Sequence, residues 1–211
     1  MARQVKVITA AEAAALIKNG DTVTTSGFVA SANPEALDRA VEERSLATDE
    51  PKDITYVYCG SQGNKDGRGA EHFAHEGLLK RYIAGHWATV PALQKMALEN
   101  KMEAYNVSQG ALCHLFRDIA AHRPGCFTKV GLGTFIDPRN GGGKVNDVTK
   151  EDIIELVNIK GQDYLFYPAF PINVALIRGT YADESGNISF EKEVSPLEGT
   201  SVCQAVKNSG G

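Results

Sequence analysis

Several features that define specialised protein classes are missing from this sequence. It has no run of about 18 consecutive apolar residues, which a membrane-spanning helix would need, and no secretory-type apolar segment follows its first residues. It also lacks an excess of basic residues, because 22 Lys and Arg stand against 26 Asp and Glu and the formal net charge is −4. The sequence therefore predicts a cytoplasmic protein that binds neither a membrane nor nucleic acid.

The cysteines lack the spacing of a disulfide framework or a zinc site, and no two of them form a Cys-x-x-Cys pair. They are widely spaced, at Cys59, Cys113, Cys126 and Cys203. Disulfide frameworks belong mainly to small secreted chains, so we interpret all four as reduced residues in or near the core. The nearest approach to a metal cluster is Glu71, His72 and His75. Because such His spacing beside a carboxylate is common on solvated helices, we expect no metal.

What is present indicates one ordinary α/β domain. With 43% apolar and 23% charged residues over 211 positions, the chain can bury a substantial core, and we treat 1–211 as a single domain. Strand and helix patterns alternate along it. Strands are predicted at 22–25, 54–58, 79–84, 103–107, 164–167 and 174–179. Helices are predicted after the Thr9-x-x-Glu12 capping box and near 34–41, 91–99, 109–121, 149–158 and 200–207. This alternation favours a mostly parallel sheet with helices on both faces, and the turn residues at 183–187 add a β-hairpin near the C-terminus.

Three segments could carry chemistry, and each follows a predicted strand. The first is 19–34, where a strand leads into Gly27-Phe28 and a helix is expected to begin with Asn33 as N-cap and Pro34 at its first position. Ligands bind at the carboxyl ends of strands in parallel sheets, and free N–H groups at a helix start attract anions. The alternative is a plain strand-to-helix connection.

The second and third segments lie further along the chain. Gln109 follows the strand at 103–107, where its neutral amide could bind a carboxylate or carbonyl without titrating. The alternative is that Gln109 is simply the N-cap or a first-turn residue of the helix that follows. Residues 131–144 are glycine-rich and end in Gly143-Lys144. Val145 stands where a nucleotide P-loop needs a hydroxyl, so we reject a P-loop. A mobile surface loop is the alternative for this segment.

Together these segments resemble the N-terminal (alpha) half of family I CoA-transferases, over nearly the whole chain from Val7 to Gly211. The family's Gly-Gly-Phe turn is similar to Ser26-Gly27-Phe28, with Ser26 in place of the first glycine, and its Pro-Gln-Gly-Thr-Leu segment is similar to 108–112. The Asp-Pro-Arg and Gly-Gly-Lys elements at 137–144 resemble the fused acetate, propionate and short-chain acyl branch.

The resemblance implies a CoA-transferase in which this half supplies part of the carboxylate pocket. The implied substrate-binding residues are Gly27, Phe28, Gln109 and Ser61. It implies an acyl-CoA and a short-chain carboxylate as substrates. Coenzyme A then takes part only as the thioester substrate, and no resident cofactor is expected. The implied partner is the C-terminal (beta) half, and the complete enzyme is expected to be a homo-oligomer.

The catalytic glutamate of the family is expected elsewhere. Its Glu-x-Gly-x-x-Gly motif lies in the second half, and the nearest string here, starting at Glu184, lacks the final glycine and falls in the predicted hairpin turn. We therefore expect a half, either a truncated chain or a natural alpha subunit, that is inactive alone and contributes no catalytic residue. Two alternatives remain open: a non-catalytic binding or assembly module, and a different α/β enzyme, such as a sugar-phosphate isomerase with Asp137 or Glu184 as base.

Overall fold

The computed structural model describes residues 5–211. The strands in this range are β1 (Thr22–Thr25), β2 (Ile54–Tyr58), β3 (Leu79–Ala84), β4 (Glu103–Asn106), β5 (Gly125–Thr128), β6 (Glu155–Ile159), β7 (Gln162–Pro168), β8 (Val174–Leu176), β9 (Tyr181–Ala182) and β10 (Ile188–Ser189). The α-helices are α1 (Ala10–Ala14), α2 (Glu35–Thr48), α3 (Pro91–Leu98), α4 (Gln109–Ala120) and α5 (Gly199–Asn208). A 3₁₀ helix, Gly69–Phe73, lies between β2 and β3, and a shorter one is Pro138–Asn140.

The centre of the fold is a five-stranded sheet in the order β4-β3-β2-β1-β8, and every pairing in it is parallel. Burial explains the strand compositions, because β1 through β4 contain β-branched and aromatic residues that are almost all buried, as expected for a parallel sheet covered by helices. The predicted α/β class with a mostly parallel sheet is confirmed. The predicted hairpin is also confirmed as the antiparallel pair β9–β10.

Helices cover the sheet as two groups. Helix α1 packs on α2, which contacts the Gly69–Phe73 turn, whereas α4 packs against α5 and β5. Under the first group, Tyr56 stacks on Tyr82 with ring centroids 5.2 Å apart and meets Phe73 edge-on at 5.0 Å. All three aromatic side chains are fully buried, so this cluster ties β2 and β3 to the turn that follows β2.

The helix predicted at 149–158 is wrong. Residues 149–153 run as a loop beside β4, where Thr149 Oγ1 accepts the amide of Ala104 at 2.7 Å and the Tyr105 hydroxyl donates to the carbonyl of Glu151 at 2.9 Å. The rest forms β6, which pairs antiparallel with β7 across a tight turn at Lys160 and Gly161, both with positive φ. Hairpin pairing with β7 thus overrides a helical hydrophobic period in this segment.

Strand β5 was not expected, because Pro124-Gly125 reads in the sequence only as a helix stop. In the structure β5 pairs antiparallel with β7, forming a second sheet in the order β5-β7-β6. This sheet lies against α4, and so it supports the helix that carries Gln109. Within the described residues, no helix is long and apolar enough to cross a bilayer.

Candidate functional site

The carboxyl edge of the parallel sheet gathers the predicted site residues. Gly27 and Phe28 come two and three residues after β1, Ser61 comes three residues after β2, and Gln109 opens α4 just after β4. Because β1, β2 and β4 belong to one parallel sheet, their carboxyl ends lie at the same edge, which is where ligands bind in such sheets.

Phe28 is presented to solvent by a tight turn. The amide of Phe28 donates to the carbonyl of Ser31 at 2.9 Å, and Ser31 returns a bond to Phe28 at 3.0 Å. This turn is fixed to the loop after β2, because Val29 donates to the carbonyl of Ser61 at 2.8 Å and accepts from Gly63 at 2.9 Å. Phe28 remains 44% exposed, so its apolar side chain is accessible from solvent.

Phe28 and Gln109 come together above Gly60. A methyl group placed on Gly60 would lie 3.1 Å from Cδ2 of Phe28 and 3.9 Å from Nε2 of Gln109. Because Gly60 has no side chain, the space between the Phe28 ring and the Gln109 amide stays open. Ser108, not Gln109, is the N-cap of α4, since its hydroxyl accepts from the amide of Ala111. The Gln109 side chain is exposed and is not needed for capping.

Gly27 is required by its backbone and by its neighbour. Its φ is +121°, and a Cβ there would lie 1.8 Å from Oδ1 of Asn33. The prediction that Asn33 caps a helix is wrong: α2 begins at Glu35, and Nδ2 of Asn33 donates instead to the carbonyl of Val29 at 2.9 Å. The Asn33 side chain lies over Gly27 and bonds to the loop instead of to the helix. Pro34 occupies the N-cap position of α2.

A buried polar chain, which sequence reasoning missed, supports this edge. Tyr56 and Thr25 hydroxyls lie 2.7 Å apart, and Tyr56 also donates to Oε1 of Gln62. Gln62 Nε2 in turn donates to the carbonyl of Ser26 at 2.7 Å. Burial raises the pKa of Tyr56 well above its usual value, so it stays a neutral donor. The sequence signal was only the Ser61-Gln62-Gly63 string, which gives no hint of where the Gln62 amide points.

Ser61 lies beneath the site rather than at its surface. It is fully buried, and its hydroxyl is hydrogen-bonded to that of Thr89. Its carbonyl accepts from Val29, so the residue positions the Phe28–Ser31 turn through its backbone. A direct contact between Ser61 and substrate stays a prediction.

Glu71, His72 and His75 have other partners. Glu71 accepts the amide of Ala92 in the first turn of α3 at 2.9 Å. His72 places Nδ1 2.6 Å from Glu42 and Nε2 2.9 Å from Glu35, which raises the pKa of His72. Within residues 5–211, no group of three or more His, Cys, Asp or Glu is arranged to hold a metal ion.

Asp137 and Glu184, the candidate bases of the isomerase alternative, both have structural partners. Asp137 Oδ2 accepts from the amide of Gly133 at 2.8 Å and from Arg139 at 2.6 Å, while Oδ1 accepts from Nε of Arg139 at 2.9 Å. These bonds hold the pKa of Asp137 well below its usual range, which disfavours proton abstraction. Glu184 lies in the turn between β9 and β10, where its carbonyl accepts the amide of Val5.

The glycine-rich segment at 141–144 lies on the outer edge of β4. Asn106 donates to the carbonyl of Gly143 at 2.8 Å, and a side chain on Gly143 would meet the Asn106 carbonyl. Lys144 forms an ion pair with Asp152 at 2.5 Å. The segment therefore covers a sheet edge next to the strand that leads to Gln109.

Comparison with known proteins gives concordant matches. A family model described as Coenzyme A transferase matches residues 7–207. The chain is 44% identical over 206 residues to a caffeate CoA-transferase of Acetobacterium woodii, a match that covers 98% of this chain and 39% of that protein. It is 24% identical over 186 residues to an acetate CoA-transferase subunit alpha of Escherichia coli, covering 88% of this chain and 75% of that subunit.

Among solved structures, the chain is similar to an acyl-CoA transferase, YdiF, from Escherichia coli O157:H7. The TM-score is 0.95 at 38% identity, covering 99% of this chain and 41% of that one. The chain thus spans about two fifths of the length of these long relatives, and the region they share includes the Phe28 turn and Gln109.

Proposed function

The chain belongs to the coenzyme A transferase family, and we propose that it is the N-terminal, alpha-type half of a short-chain acyl-CoA:carboxylate CoA-transferase. The proposed substrates are acetate or propionate and their CoA thioesters. Coenzyme A enters as the thioester substrate, so no resident cofactor is proposed. The proposed partner is the C-terminal (beta) half, as in enzymes with separate alpha subunits, and the complete protein is proposed to be a cytoplasmic homo-oligomer.

The observation that carries this proposal is the meeting of Phe28 and Gln109 above Gly60. Two segments separated by about eighty positions, which resemble two different motifs of the family, share one exposed space at the carboxyl edge of the sheet. Such an arrangement suits a small carboxylate, because the phenyl ring offers an apolar wall and the amide offers a donor.

In the proposed reaction the residues of this chain bind and orient the acid. Gln109 donates its amide N–H to the carboxylate without changing protonation, and Phe28 packs on the short alkyl chain. Gly27 lets the loop close under Asn33, which keeps the Phe28 turn in place. The second half is proposed to supply the glutamate carboxylate, which attacks the acyl-CoA carbonyl and, after an acyl anhydride, carries CoA as a glutamyl thioester.

The test is substitution of Gln109 in an assembled enzyme of the two halves. Gln109→Ala removes the donor, so we expect a raised KM for the acid and a lower transfer rate, in the range of tenfold for one lost hydrogen bond. Gln109→Glu places a negative charge beside a carboxylate and should raise that KM further. Gln204→Ala, at an exposed glutamine of α5, is the matched control and should leave both constants unchanged. Unchanged kinetics in Gln109→Ala would remove Gln109 from the site.

A second candidate is a binding module that holds a CoA thioester but transfers nothing. It is favoured by the position of Glu184 in the turn between β9 and β10, in a string that lacks the final glycine of Glu-x-Gly-x-x-Gly. Thermal shift of this chain with propionyl-CoA, and separately with a sugar phosphate, separates the classes. A shift with the sugar phosphate alone would favour an isomerase over both CoA-based proposals.

A further inference from the structure

A cavity of about 320 Å³ lies between the central sheet and helix α4, and neither Phe28 nor Gln109 lines it. Its walls include four core side chains, Ile83, Val107, Leu112 and Leu115, all of which are buried. An apolar cavity of ~150 Å³ can hold benzene, and ligand pockets begin at roughly 300 Å³. The cavity is therefore large enough for a small organic molecule.

One end of the cavity is polar, because three neighbouring strands place polar side chains in a row. Thr22 of β1 is paired with Thr55 of β2, and Thr55 is paired with Arg81 of β3. Paired residues point to the same face of a sheet, and all three line the cavity. Each threonine hydroxyl can donate and accept hydrogen bonds. Since Thr22 begins β1, this polar end lies at the amino edge of the sheet, opposite the candidate site.

The cations at the cavity are already paired with carboxylates. Nε of Arg81 donates to Glu103 at 2.5 Å, and a second guanidinium nitrogen donates to Glu151. Asp152, which also lines the cavity, pairs with Lys144 at 2.5 Å. The three carboxylates thus exceed the two cations by one charge. An anionic ligand would meet this excess, so the charge distribution favours a neutral molecule.

The segment 151–153 closes one side of the cavity and leaves an entrance. Arg81 and the Tyr105 hydroxyl both bond to Glu151, and Ile153 packs against the core. The side chains of Glu151 and Asp152 are exposed although both residues line the cavity. A ligand can therefore enter from solvent beside these two residues.

We propose that this cavity binds a small, neutral, largely apolar alcohol. Its apolar part lies among Ile83, Leu112 and Leu115, and its hydroxyl group bonds to Thr22 and Thr55. The combination of apolar walls with a few convergent polar groups is typical of small-molecule sites. The proposed site is separate from the carboxylate site at the other edge of the sheet, so each proposal can fail without the other.

The experiment is a titration of the full chain, with labelled Ile, Leu and Val methyl groups, by NMR. The probe is 2-naphthol, a neutral phenol at pH 7. We expect saturable shifts at the methyl groups of Ile83, Leu112 and Leu115. Leu93 of α3 is equally buried but does not line the cavity, and its methyl groups should not shift. The matched anion 2-naphthoate should bind about tenfold or more weakly, because its carboxylate meets the excess negative charge. Acetate should not displace 2-naphthol.

Two variants test the two ends of the cavity. Thr55→Val keeps the side-chain shape and removes the hydroxyl, so the affinity for 2-naphthol should fall by about fivefold, as for one lost hydrogen bond. Thr200→Val, on the exposed side of α5, is the matched control and should bind 2-naphthol as the unsubstituted chain does. Leu115→Phe fills part of the apolar end and should weaken binding further. Circular dichroism checks that each variant is folded, and Thr55→Val decides the matter if Leu115→Phe is not.

Three results would overturn the proposal. The first is the lack of a saturable shift at the cavity methyl groups. The second is an equal shift at Leu93, because binding would then not be confined to the cavity. The third is an unchanged affinity for 2-naphthol in Thr55→Val or an equal affinity for 2-naphthoate, because the polar end would then not select a neutral alcohol.

Discussion

Gly85 gives the sharpest test of how the candidate site is packed. A methyl group at this position would lie 2.3 Å from the carbonyl oxygen of Cys59 and 2.7 Å from both Cα and Cβ of Gln109. Ordinary contacts between carbon atoms are ~3.5–4.0 Å, so the methyl would have to push its neighbours apart by about 1 Å. Two of the three nearest atoms belong to the backbone and cannot turn away. Overpacking typically costs ~1–3 kcal/mol, and we expect Gly85→Ala to fall at the upper end of that range.

The assay is urea denaturation followed by circular dichroism. With a slope of ~2–3 kcal/mol per molar urea, a loss of about 3 kcal/mol lowers the midpoint by roughly 1 M. The matched control is Gly110→Ala in the first turn of α4, where a methyl group would meet no atom within 4 Å. Since alanine is a better helix former than glycine by ~1 kcal/mol, this control should be neutral or slightly stabilising. The reasoning about close packing fails if Gly85→Ala is as stable as Gly110→Ala.

The remaining predictions concern two other buried contacts. Both ring nitrogens of His72 bond to carboxylates, which requires the protonated ring, and its pKa is raised above 6.5. A raised folded-state pKa gives stability that is fully present below the unfolded value and is lost as pH rises through the folded value. The free energy of unfolding lost in His72→Gln should therefore be larger at pH 6 than at pH 9 in urea melts, and a loss independent of pH would contradict this assignment. Thr149→Val removes the acceptor for the amide of Ala104 and should cost ~1–3 kcal/mol, whereas Thr200→Val, on the exposed side of α5, should cost much less by the same measurement.

The sequence predicts the central sheet well because its signals are local. Thr22–Thr25, Ile54–Tyr58 and Leu79–Ala84 are short apolar or β-branched runs bounded by turn residues, and each forms a strand with those limits. Thr9 and Glu12 form the predicted capping box, with the amide of Glu12 donating to the Thr9 hydroxyl at 3.2 Å. In these segments the local sequence pattern alone determines the strand or the helix start.

The antiparallel sheet could not be predicted in the same way, because one of its pairings is distant in sequence and the other involves a strand with a helical pattern. Strand β5 finds its partner β7 some forty residues later, and β6 has a helical hydrophobic period that pairing with β7 overrides. The Lys160-Gly161 turn was the available signal, since two residues with positive φ favour a hairpin.

The candidate site also has one part that the sequence predicts and one part that depends on tertiary contacts. The motifs that contain Gly27, Phe28 and Gln109 are visible in sequence, and their positions after parallel strands place them at one edge. The sequence does not reveal that Ser61 faces the interior or that Gln62 supports the loop, because side-chain direction after a strand depends on tertiary contacts.

Acetate-dependent CoA transfer from propionyl-CoA shows whether this chain needs a second half for activity. It should be measured with this chain alone and then with the chain mixed with a matching second half that carries the Glu-x-Gly-x-x-Gly motif. We predict transfer only in the mixture, because this half binds the acid and the other supplies the nucleophile. Transfer by the chain alone would contradict the proposed division of roles between the halves, and Glu184 would then be the first residue to substitute.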